Sequence, residues 1–143
     1  MNDKISDIKK LIKEKYINYK EPFVVGFSGG KDSTVLLDLV IESLHELYFE
    51  SKDNISKKTY VITSNTLLEN PYVTTSIKKS LNSIKEKFKY LNIDVVEVTP
   101  KPTETFWVSI IGKGYPLPLN RFRWCTRQLK IEPMNNAMSQ IID

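Results

Sequence analysis

Apolar residues along this chain alternate between continuous short runs and spaced stripes, and the two patterns predict strands and helices in turn. Ile5, Ile8, Leu11, Ile12 and Tyr16 recur at helical spacing among lysines and acids, which predicts an amphipathic helix over residues 3–19. Pro22 then opens the run Phe23-Val24-Val25-Gly26-Phe27, read as a buried strand. A helix is predicted over 34–49, with Val35, Leu36, Leu39, Val40 and Leu44 on its inner face. The polar stretch 51–58 leads to a second strand over 59–63, and a turn over 64–71 leads to a helix over 73–91 striped by Ile77, Leu81, Ile84 and Phe88. A third strand, 94–98, ends before Pro100.

Strands alternating with helices at this spacing predict an α/β fold: a parallel sheet with right-handed crossovers and flanking helices in three layers. Beyond Pro100 the pattern changes. Residues 101–133 are rich in aromatics, Gly, Pro and Arg, with short helices expected near 106–111 and 126–130, and a last helix is expected over 134–142.

Composition narrows the class without changing this outline. A length of 143 residues predicts one domain over 1–143, and 41% hydrophobic with 27% charged residues is the balance of a soluble globular protein, not a disordered one. The longest apolar runs are too short to span a bilayer, so no membrane partner is expected. The first residues carry no apolar signal region, and the single cysteine, Cys125, fits a reducing cytoplasm.

The distribution of charge says more than the net +4. From Thr105 to Ile131 there is no Asp or Glu, yet Lys113, Arg121, Arg123, Arg127 and Lys130 lie there, including every arginine of the chain. Arginine suits planar, bidentate phosphate contacts, so the segment points to a polyanion. Its aromatics, Phe106, Trp107, Phe122 and Trp124, suit stacking bases, although isolated aromatics are usually packing and at least two of the four are expected in the core.

The sharpest chemistry lies where the first strand meets its helix, in Ser28-Gly29-Gly30-Lys31-Asp32-Ser33. Glycines there let phosphate oxygens approach the main chain, and the following helix aims free N–H groups and its positive dipole end into the same space. Ser28 and Ser33 add hydroxyls, Lys31 adds charge, and Asp32 is a candidate magnesium ligand bridging phosphates. A Walker A reading fails because Asp32 separates Lys31 from the hydroxyl residue, and a dinucleotide Gly-x-Gly-x-x-Gly reading fails on the spacing of Gly26, Gly29 and Gly30. The plain alternative is a Gly-Ser-rich strand–helix turn.

FSGGKDS resembles the PP-loop of the ATP pyrophosphatase superfamily, which has an adenine-nucleotide-alpha-hydrolase-like fold and includes the phosphoadenylylsulfate reductases. The resemblance implies an adenine nucleotide, ATP with magnesium, cleaved between its α- and β-phosphates. Ser28 to Ser33 would then be the phosphate and magnesium contacts, with Lys31 and Asp32 catalytic. Ser64, Asn65 and Thr66 follow the second strand, where ligands lie in open parallel sheets, and Arg121 and Arg123 join them as candidate nucleotide contacts. A polar turn capping the next helix is the alternative for the first three. The superfamily often has Asp where Asn65 stands, which leaves Asn65 mainly hydrogen bonding.

With the segments Gly112-Lys113-Gly114-Tyr115-Pro116 and Phe122-Arg123-Trp124-Cys125-Thr126 added, the chain most resembles the DndC-type sulfurtransferases of DNA phosphorothioation over about residues 23–133. This implies ATP activation of a DNA backbone phosphate, with DNA, a cysteine desulfurase and other phosphorothioation components as partners. Cys125 would be a sulfur-handling residue or a ligand of a 4Fe-4S cluster in a longer or assembled protein, because one cysteine cannot hold four positions. A small buried hydrophobe is its alternative role. Two other readings stand beside this one: a reductase acting on a small sulfonucleotide, and a nucleotide-binding module without turnover. The resemblance also implies a further strand and an arginine-bearing loop, so the chain is expected to be a fragment or a shortened product that is incomplete after residue 143.

Overall fold

The computed structural model describes residues 2–142; Met1 and Asp143, the ends of the expected 1–143 domain, lie outside the described residues. Helix α1 (Asn2–Asn18) precedes strand β1 (Phe23–Gly26), helix α2 (Lys31–Glu50), strand β2 (Thr59–Ser64), helix α3 (Pro71–Lys87) and strand β3 (Ile93–Val98). The three strands form one parallel sheet in the order β1-β2-β3, with Phe23 beside Thr59 and Thr59 beside Ile93. The predicted α/β architecture with helices on both faces is what the chain adopts.

Each strand alternates between two cores, as a period of two requires. Val25, Val61 and Val95 face one side, where they meet Ile12 and Tyr16 of α1, Leu37, Val40, Leu44 and Leu47 of α2, and Leu81 of α3. Val24, Tyr60, Ile62, Val96 and Val98 face the other, which is covered by Met134, Ala137, Met138 and Ile141 of helix α5 (Glu132–Ile142). Helix α3 starts cleanly because Asn70 accepts from the Tyr72 N–H at 2.9 Å and Pro71 supplies a preset first turn.

The inner face of α2 differs from the expected one. Val35 and Leu36 are 58% and 46% exposed, while Leu37, Val40, Ile41, Leu44 and Leu47 are buried. Val35 lies two residues from Leu37, which is about 160° round a helix of 3.6 residues per turn, so both cannot face the sheet.

Residues 101–131 hold more helical structure than a loop, in short pieces: a 3-10 turn Pro102–Glu104, a π-turn Val108–Gly112, the single turn α4 (Trp124–Thr126) and a π-turn Arg127–Ile131 that runs into α5. Pro133 lies just after that π-turn. It has no N–H to offer the preceding turn, and the Leu129 carbonyl instead accepts from the Ser64 hydroxyl at 3.3 Å, joining the end of β2 to the helical run. None of the four aromatics of this segment enters either core. Phe106 and Trp124 are half-buried and stack on each other at 5.7 Å, while Trp107 and Phe122 are exposed. Phe106 and Trp124 thus form a small cluster with Tyr115 within the segment, apart from the two sheet cores. No helix among the described residues is long and apolar enough to cross a membrane.

Candidate functional site

The parallel ladder carries the chain one residue past β1, where the Phe27 N–H donates to the Ile62 carbonyl at 2.8 Å and the Phe27 ring is buried. The chain then turns through Ser28-Gly29-Gly30 into α2. Gly29 sits at φ +74°, and a Cβ there would lie 2.8 Å from Ile77 Cγ1 of α3, so both backbone and packing require glycine. Gly30 caps α2 with extended backbone and no side-chain cap bond. The first turn of a 20-residue helix therefore points its N–H groups at the loop without a side-chain acceptor.

The two serines are engaged within the loop. Their hydroxyls are 3.1 Å apart, the Ser28 N–H donates to Ser33 Oγ at 3.3 Å, and the Ser33 hydroxyl donates to the Gly30 carbonyl at 3.0 Å. Lys31 and Asp32 are exposed on the first turn of α2 and enter no ion pair among the described residues. This arrangement fits a phosphate group: a glycine loop, an uncapped helix end, hydroxyls and a free ammonium. It also fits magnesium carried with phosphates, since that ion needs only one or two protein carboxylates and Asp32 is one.

Beside the loop lies a cleft of about 290 Å³ lined by Gly26, Phe27, Ser28, Ser64, Glu69, Val73, Ile77, Lys130 and Met134. Ser64 thus lines the same cleft as Ser28. Asn65 and Thr66 are held in other ways. Asn65 Nδ2 donates to Glu97 at 2.8 Å while its Oδ1 accepts from the Leu67 N–H at 3.0 Å, and Thr66 is buried with its N–H bonded to the Glu69 carboxylate at 3.1 Å. Leu67, at φ 64°, carries the backbone strain of this turn. Arg121 and Arg123 are exposed and are not among the residues lining the cleft; the cation there is Lys130, delivered by the Arg127–Ile131 π-turn.

Glu69 lies in the 64–71 turn placed at the crevice from sequence but was not singled out there, and neither Met134 nor the position of Lys130 was foreseen. The lysine was visible as part of a basic segment, but only the fold of α5 across the second sheet face brings it to β1. Cys125 is a free, half-buried thiol on α4. Among the described residues no three His, Cys, Asp or Glu side chains are grouped to hold a metal, so a 4Fe-4S cluster does not fit the donors present.

Comparison with known proteins agrees with the fold. Residues 22–142 match the family described as phosphoadenosine phosphosulfate reductase domain. An uncharacterized protein of Methanocaldococcus jannaschii is 28% identical over 129 residues, covering 90% of this chain. The tRNA(Ile)-lysidine synthase of Wigglesworthia glossinidia brevipalpis is 35% identical over 91 residues, covering 60% of this chain. The chain spans 22% of the length of each of these curated relatives. By the match over 22–142, the chain belongs to the phosphoadenosine phosphosulfate reductase domain family, related to the PP-loop ATP pyrophosphatases.

Proposed function

We propose that the loop from Ser28 to Ser33 binds the phosphate end of ATP with magnesium, and that the chain contributes this site to a sulfurtransferase of the DndC type. The observation that carries the nucleotide reading is the uncapped N-terminus of α2 at the carboxyl end of β1, held open by Gly29 and Gly30 beside the cleft. Lys31 would balance phosphate charge, Asp32 would hold magnesium, and the loop amides would orient the leaving pyrophosphate. Magnesium supplies neutralisation of charge across the phosphates.

In the reaction, an oxygen of a DNA backbone phosphate forms a bond to the α-phosphorus of ATP. The bond from that phosphorus to the β-phosphate oxygen breaks, and pyrophosphate leaves with the electron pair. The terminal sulfur of a cysteine desulfurase persulfide then attacks the activated DNA phosphorus, and AMP leaves with the electron pair of the P–O bond. A thiol reductant cleaves the remaining sulfur–sulfur bond, leaving sulfur on the phosphate and the thiol oxidised to a disulfide. The basic, aromatic segment 105–131 supports DNA as the acceptor. A second reading, a reductase-like enzyme on a small sulfonucleotide, is favoured by the family description itself.

Calorimetric titration with ATP and magnesium, beside ATP–pyrophosphate exchange with and without DNA, tests these readings. Wild-type chain is expected to bind ATP, with Lys31→Ala about 10-fold weaker or more, as loss of a charge-assisted hydrogen bond implies. DNA-stimulated exchange lost in Asp32→Ala supports the sulfurtransferase. Tighter binding of adenylyl sulfate than of ATP moves the assignment to the reductase, and ATP binding without exchange in the presence of DNA and desulfurase leaves a binding module. Equal affinity of wild type, Lys31→Ala and Asp32→Ala for every nucleotide removes the loop from the site.

A further inference from the structure

The loop and its cleft do not involve the exposed side chains of residues 105–123, part of the segment that supports DNA as the acceptor. Three observations bear on this exposed face. Trp107 and Phe122 expose 60% and 51% of their surface, and Tyr115 is exposed as well. Lys113, Arg121 and Arg123 are also exposed and enter no ion pair among the described residues, whereas Arg127 pairs with Glu132 at 3.0 Å. No acid lies between Thr105 and Ile131 to answer those cations.

The exposed rings stand on a fixed base. Trp107 meets Phe106 edge-on at 5.3 Å, Phe106 stacks on Trp124, and Tyr115 meets Trp124 edge-on at 5.2 Å. The Trp124 indole N–H donates to the Pro116 carbonyl at 3.0 Å, and Gln128 Nε2 donates to the Glu104 carbonyl and to Ser109 Oγ, each at 2.7 Å. Reciprocal backbone bonds between Leu119 and Phe122 hold Arg121 in a tight turn.

We propose that this face binds single-stranded nucleic acid, with Trp107, Tyr115 and Phe122 as stacking platforms and Lys113, Arg121 and Arg123 on the phosphates. A single strand offers both open base faces and regularly spaced negative charge. A duplex hides its base faces, an acidic peptide answers the cations and leaves the rings bare, and an apolar protein partner would strand the arginines without counter-charge. The evidence for the face is independent of the nucleotide loop; only its purpose, presenting a strand for modification, rests on the proposed sulfurtransferase.

The chain has two tryptophans, so intrinsic fluorescence reads the face directly. Titration of the full chain with oligothymidylate and oligouridylate, and with a duplex of equal length, is expected to show quenching and tighter binding of single strands. The two oligomers decide between DNA and RNA as the source. Trp107→Ala is expected to bind about 10-fold more weakly or worse. Arg121→Ala with Arg123→Ala is expected to flatten the dependence of log affinity on log salt by roughly 1.4, from about 0.7 for each phosphate contact on a single strand. Circular dichroism checks the fold of each variant, and Phe122→Ala replaces Trp107→Ala if the latter unfolds.

Unchanged affinity in the aromatic variants, duplex bound as tightly as single strands, or heparin competing equally would overturn the proposal. Concentration-dependent self-association without strand binding would instead make the face a protein interface. An ATP titration on the same samples separates the two readings: loss of ATP binding with strand binding intact removes only the nucleotide site, and the reverse removes only this face.

Discussion

Gly29 is where a single atom decides the shape of the loop from Ser28 to Ser33. Any other residue there must adopt φ +74° and place Cβ inside contact distance of Ile77. Gly29→Ala is therefore expected to lower stability by about 1–2 kcal/mol, the cost of left-handed backbone for an L-residue, with the clash added. Urea denaturation measures this, and ATP affinity should fall with it because the loop must move away from α3. The identity of the loop was legible in the sequence because its residues are contiguous. The cleft beside it was not, because Ser64, Glu69, Lys130 and Met134 come from a strand end, a turn and two helical segments that only the folded sheet assembles. Asn65 and Thr66 are fixed by bonds to Glu97, Leu67 and Glu69 that only the folded turn makes.

Among the elements, α2 shows what periodicity alone decides. Its helical character was plain from residues 34–49, but a helix rich in Val and Leu offers more than one apolar stripe, and only the sheet beneath selects Leu37, Val40, Ile41, Leu44 and Leu47. Leu44→Ala is expected to cost about 2–5 kcal/mol because Leu44 has no exposed surface and its loss leaves a cavity. Val35→Ala should stay within about 0.5 kcal/mol, as exposed positions usually do. Chemical denaturation of the two variants side by side checks the assignment, and equal losses would refute it. The strands were read nearly to the residue because β1 is a short apolar run and β2 and β3 are rich in β-branched residues. Helix α5 was read as a helix, yet its packing against the second face was not, since its apolar stripe says nothing about which surface it meets.

For the molecule as a whole, ion pairs on the surface set the response to acid. Hydrogen bonds from Lys13 and then Lys9 hold the Glu46 carboxyl below its ordinary range, and Lys85 does the same for Asp94. A depressed carboxyl contributes stability that is complete above its unfolded pKa and is lost as pH falls through the folded value. The lysine partners Lys9 and Lys13, raised by Glu42 and Glu46, lose their contribution only in strong base. Urea midpoints are thus expected to fall between about pH 5 and pH 3, modestly and less at high salt, because these pairs are exposed. Glu46→Gln should make that fall shallower; an identical pH profile would show that the α1–α2 pairs contribute nothing.

The parallel order of the strands also fixes when the loop from Ser28 to Ser33 takes form. Among the described residues no strand pairs with a neighbour across a hairpin; Phe23 waits for Thr59 and Thr59 for Ile93, partners roughly 35 residues apart. Each ladder must first close a loop through a whole helix, an entropic cost met before any pairing returns it. Phe27, the last residue before Ser28, is anchored by the Ile62 carbonyl across the first of those closures. The motif that reads as the most local feature of the chain acquires its geometry only after a long-range folding event.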